Sequence, residues 1–88
     1  METSVNDVFR ALNGLTTFLT HTAGRAQLMC SPLAQEIRSE WQTHDKLWHD
    51  YNGLRCSAMV NEAQLRQLAA ETLNFCSRMI ELNLKLNH

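Results

Sequence analysis

Glycine and proline are scarce in this chain, with three Gly and one Pro among 88 residues. Few turn-formers allow few connections, so the elements must be few and long, which points to helices. Runs of like charge are missing too. Nine acidic and eight basic side chains leave a formal net charge of −1, and the signs interleave from Glu2 to Lys85. Nucleic-acid backbones and anionic membranes are held by clustered Lys and Arg. A nucleic-acid partner is therefore not expected, and a polybasic membrane anchor is excluded. No apolar stretch approaches the ~20 residues of a membrane span, and Met-Glu-Thr-Ser-Val-Asn-Asp at the start lacks the apolar core of a signal peptide. The expected setting is cytoplasmic, with no membrane partner.

Cysteine is limited to Cys30, Cys56 and Cys76. Three is an odd number, spaced too widely for a zinc knuckle and too few for the disulfide framework of a small secreted domain. The expectation is three reduced, partly buried thiols serving as small hydrophobes. Hydrophobic residues at 44% and charged residues at 19% belong to a globular chain rather than a disordered one. Residues 1–88 make one domain on length. A chain this small buries only about 60–65% of its unfolded surface, so its core is thin.

Periodicity predicts an all-α three-helix bundle with helices over about 4–22, 32–51 and 62–86. In the first, Val5, Val8, Leu12, Leu15 and Leu19 recur by threes and fours, the spacing of one helix face. Ser4 with Asp7 forms a weak capping box, and Gly24 is a natural C-terminal stop. Ser31-Pro32 opens the second helix, with Ser as cap and Pro in the first turn, and Asn52-Gly53 closes it. Asn61 and Gln64 cap the third, with Val60 and Leu65 placed for a hydrophobic staple. The third helix's inner face is expected to carry Leu65, Leu68, Ala69, Leu73, Cys76, Met79, Ile80 and Leu84, with Phe75 and Leu86 at a margin. That arc covers nearly half the helix circumference, wider than the roughly 100° stripe of an ordinary surface helix. A helix so apolar should touch two neighbours. The connections 24–31 and 54–60 are themselves apolar and are expected to fold over the core.

On the second helix, Glu40 and His44 project, at 100° per residue, into the arc of Leu33, Ile37, Trp48 and Tyr51. Ionisable groups there need partners, because unpaired burial is costly. The pair could bond to itself at the bundle margin. It could instead set register in a partner interface, as polar residues do in coiled coils, or act as an acid–base or metal pair. Trp41 and Trp48, two turns apart, stack along one edge of the same helix, either as core or as a binding hot spot. Phe18 falls outside the apolar face of the first helix and is a candidate contact.

Metal chemistry finds little purchase. Asp45 and His49 share a face, but it points away from Glu40 and His44, and the other two helices lack the inward Glu and His that di-metal bundles require. Neither metal nor cofactor is expected. Gly-rich loops, CxxC and HExxH are absent, and a helix-turn-helix reader would need a short turn and a basic recognition helix. The expectation is therefore not an enzyme but a small protein-interaction module, in the manner of an adaptor, inhibitor or small chaperone. Its partner-binding residues would be Phe18, Glu40, Trp41, His44 and Trp48, and its partner another protein or a second copy in a homodimer. The alternative is a nucleic-acid-associated regulator whose dimer gathers Arg10, Arg25, Arg38 and Lys46.

Overall fold

The computed structural model describes residues 4–87. They form α1 (Val5–Leu28), α2 (Leu33–Arg55) and α3 (Glu62–Leu86), which pack against one another with no strand among the described residues. The all-α three-helix bundle expected from periodicity is the fold.

Helix starts follow the capping chemistry. At the head of α1, Asp7 N donates to Ser4 Oγ at 3.1 Å and Ser4 N donates to Asp7 Oδ2 at 3.0 Å, closing both halves of the box. Ser31 Oγ accepts from Leu33 N at 3.2 Å, and Pro32 already has helical dihedrals, φ −63 and ψ −17. Asn61 Oδ1 accepts from Ala63 N at 2.9 Å and Gln64 N at 3.2 Å.

Two helix ends differ from expectation. α1 runs past Gly24 to Leu28, not stopping near residue 22. A mid-helix glycine costs about 1 kcal/mol, and burial of Ala26 in the core one further turn on offsets it. The stop comes at Cys30, whose φ of 51 is left-handed. Cys30 N donates to Gln27 O at 3.1 Å and Ser31 N to Ala26 O at 3.0 Å, the paired closure of a Schellman end. Likewise α2 continues through Asn52-Gly53 to Arg55, because Leu54 buries. The connections are therefore shorter than expected, and their apolar residues do not cover the core: Met29, Met59 and Val60 are exposed, as is Leu28 at the end of α1.

Each helix buries a seam spaced alternately by three and four. In α1 it is Val8, Leu12, Leu15, Leu19, Thr22 and Ala26; in α3 it is Leu65, Leu68, Thr72, Phe75, Met79, Leu82 and Leu86. Thr22 and Thr72 are tolerated inside because their hydroxyls donate to Phe18 O and Leu68 O, at 2.8 and 2.7 Å. Arg25 reaches Asn83 and Asn87 near the end of α3, and Asp7 and Ala11 line one groove with Ala69 and Leu73 near its start. Thus α1 and α3 run parallel, and α2 returns antiparallel to both.

The α3 seam is rotated from the expected one. Phe75 and Leu86, assigned to a margin, are buried at its centre, while Leu73, Ile80 and Leu84 stand 71%, 51% and 56% exposed. The wide arc contains two stripes, and only one can face the other two helices. Because the hydroxyl of Thr72 is satisfied by its own helix, a polar residue sits in the buried stripe at little cost.

Candidate interaction surface

The polar pair on α2 does not bond to itself. Glu40 and His44 are each tied to a different neighbouring helix. His44 is only 5% exposed; its Nε2 lies 2.7 Å from Thr16 Oγ1 and 3.2 Å from Leu12 O on α1. The Thr16 hydroxyl donates to the same Leu12 carbonyl at 2.9 Å. The tautomer protonated on Nε2 strands no donor, and it leaves Nδ1 as a buried acceptor without a hydrogen-bond partner among the described residues. The ring stacks on Trp48 at 6.3 Å and 11°, meets Trp41 edge-on at 5.6 Å, and touches Phe75 of α3 at 6.2 Å. Glu40 accepts from Arg78 Nη2 at 3.1 Å, and that guanidinium lies 5.6 Å from the Phe75 ring centroid. Two short polar ties therefore fix α2 against α1 and against α3.

Trp41 and Trp48 are half-buried along the α1–α2 seam. Trp48 packs with Phe9 at 6.0 Å and Tyr51 at 5.5 Å, and Phe9 with Tyr51 at 5.8 Å, an aromatic cluster closing that side of the bundle. Phe18 is half-buried as well and rests on the core. It follows Ala11 by seven residues and precedes Arg25 by seven, so it shares their side of α1, the side toward α3.

That side carries Leu73, Ile80 and Leu84, which were expected to lie in the core. An apolar groove of about 280 Å³ runs between the parallel helices, with Asp7, Ala11 and Leu15 on one wall and Ala69, Leu73 and Cys76 on the other. Beyond it the exposed stripe continues through Ile80 and Leu84. The signal for these residues lay in the width of the α3 arc, which exceeded what one seam can bury. What the sequence lacked was any mark of which half would face inward.

A second, polar depression of about 340 Å³ lies between α2 and α3, lined by His49, Asp50, Ser57, Gln64, Gln67 and Glu71 among others. Within its lining Gln67 donates to Glu71 at 3.4 Å and the Ser57 hydroxyl to Gly53 O at 3.2 Å. Among the described residues no group of three or more His, Cys, Asp or Glu side chains is placed to hold a metal ion. Nor is any helix among them long and apolar enough to cross a membrane. Arg10 and Arg25 lie fifteen residues apart on α1, roughly 22 Å, while Arg38 and Lys46 are on α2.

Of the three thiols expected to be reduced and partly buried, only Cys76 is partly buried. Cys30 and Cys56 are exposed and Cys76 is half-buried, all three unpaired. Cys30 and Cys56 lie in the connections, as expected, but those connections are short and do not fold over the core. No protein-family model matches the chain, and neither a curated protein nor a solved structure shows significant similarity to it.

Proposed function

We propose that this chain is a protein-interaction module, working by binding rather than catalysis in a cytoplasmic setting, and that it meets its partner through the α1/α3 face. The observation carrying this reading is the second apolar stripe of α3: Leu73 and Ile80 lie in the open, seven residues apart, beside the groove that Ala11, Leu15 and Cys76 line. Exposed large apolar residues occur singly on most proteins, but a contiguous row rimmed by polar groups marks an interaction surface. Among the five residues read as partner-binding from sequence, Phe18 belongs to this face. In the proposed reading Glu40, Trp41, His44 and Trp48 support it from behind by fixing the helices.

A direct test compares wild type with Leu73→Glu in extracts of cells that naturally make the protein. Both residues are solvent-accessible at this position, so helicity and melting temperature should hold. Wild type should migrate in a complex larger than one chain, and Leu73→Glu should return it to monomer size. A complex of unchanged size in the variant would place the interaction elsewhere.

A further inference from the structure

We infer that the partner of the α1/α3 face is a second copy of this chain, stacked antiparallel about a two-fold axis that crosses the face at the level of Cys76. The inference rests on the interaction-module reading and makes it specific. Three independent features share one centre.

The first is apolar. Leu73 and Ile80, two exposed residues of the α3 stripe, lie symmetrically about a point between Cys76 and Ser77, with Leu84 beyond them toward the helix end. An antiparallel α3 from a second copy would lay Leu73 on Ile80 of that copy, and Ile80 on its Leu73.

The second is charge. Arg25 bonds to Asn83 and Asn87, so each α1 residue lies level with an α3 residue about sixty positions later. Asp7 therefore marks one end of the face and Arg25 the other, with the midpoint between them level with Cys76. Rotation about that point brings the Asp7 carboxylate of each copy to the Arg25 guanidinium of the other. Arg25 has five N–H donors and can keep its asparagine bonds while it accepts this neighbour. A parallel copy would place like charges together at each end.

The third is shape. Gly14 and Phe18 lie symmetrically about the same midpoint of α1, so each Phe18 meets Gly14 of the other copy. A Cβ built on Gly14 has nothing within 4 Å in its own chain, so the space above it is free to take a ring. The face is also large enough. The molecule is 46 Å long, so a face formed by two helices along its length is on the scale of the roughly 800 Å² per partner that a stable interface buries.

The test uses the whole purified chain in reductant, with sedimentation equilibrium between about 0.1 and 100 μM. A dimer is expected, and Leu73→Glu should weaken its dissociation constant about a hundredfold with helicity unchanged. Asp7→Lys and Arg25→Glu should each weaken it by roughly three- to tenfold, since the pair occurs twice. The double reversal should restore most of the loss. Within one chain the two positions are about 27 Å apart, so rescue can only come across the interface. Gly14→Gln should raise the stability of the monomer yet weaken the dimer, two opposite effects of one side chain. A wild-type monomer at 100 μM overturns the inference; if Leu73→Glu still dissolves the complex in extracts, the interaction-module reading stands with a different partner. A dimer indifferent to Leu73→Glu, or charge reversals without rescue, also overturns it. Indifference in both purified and extract experiments sinks both readings.

Discussion

Replacing His44 by leucine should leave the bundle as stable as before or slightly more stable, although it removes a buried ionisable side chain, only 5% exposed. Four effects set the balance. Lost on substitution is the contact of Nε2 with Thr16 and Leu12, about 0.5–1.5 kcal/mol for a neutral hydrogen bond. Lost also is the parallel stacking on Trp48, about 0.5–1 kcal/mol. Against these stands removal of the unpartnered Nδ1, whose burial costs about 1–3 kcal/mol, together with the added apolar surface of leucine. No new orphan arises, because the Thr16 hydroxyl keeps its bond to the Leu12 carbonyl at 2.9 Å. The expected result is a change between about zero and 1 kcal/mol in the stabilising direction, read by urea unfolding at neutral pH. His44→Ala removes the same polar groups but leaves a cavity among Phe75, Trp41 and Trp48, and should destabilise by about 2–4 kcal/mol. For a domain of this size each kcal/mol moves the melting temperature by roughly 4–8 °C, so the two variants should separate clearly in a thermal scan. Destabilisation of more than about 1 kcal/mol by His44→Leu would refute the reasoning. It would mean that Nδ1 has a partner in solution and that the imidazole network holds the bundle together.

Gly24→Ala should stabilise by about 0.5–1 kcal/mol, since the new methyl meets nothing within 4 Å; an unchanged urea midpoint would show that α1 ends before Gly24. Cys30→Gly should also stabilise, by up to about 1 kcal/mol, because the left-handed φ of 51 strains any side chain; a loss of stability would contradict the Schellman ending. Native thiol titration should show Cys30 and Cys56 reacting quickly and Cys76 slowly, in keeping with their exposure; three slow thiols would contradict the short connections. Asp7 has its carboxyl held below its ordinary value of 3.8, first by the Ser4 backbone N–H, then by the Ser4 hydroxyl and Arg10. Its folded value lies below its unfolded one, so its contribution is fully present well above the unfolded value and is lost as pH falls through the folded one. Asp7→Asn should accordingly be less stable than wild type at pH 7, with the gap closing in acid; a gap that widens in acid would reverse the assignment.

Local chemistry carried by the sequence determined much of this molecule. Scarce Gly and Pro implied few elements. Three helix starts could be read from Ser4, Ser31-Pro32 and Asn61, because a cap is a contact between residues two or three apart and needs no tertiary partner. The seam of α1 was legible for the same reason, every third or fourth residue being apolar. Helix ends were harder. Gly24 and Asn52-Gly53 look like stops, and only the burial of Ala26 and Leu54 against other helices carried α1 and α2 beyond them. The choice between the two stripes of α3 belonged wholly to packing. Both are apolar, one contains a threonine, and the sequence favours the wrong one until the Thr72 hydroxyl is seen bonded to Leu68 O. The same holds for the polar pair on α2. Its spacing suggested a mutual bond, yet Thr16 and Arg78, 28 and 38 residues away in sequence, supplied the partners instead. Short-range hydrogen bonding is written in neighbouring residues, whereas which face of a helix is hidden depends on two other helices, and that is settled only when all three meet.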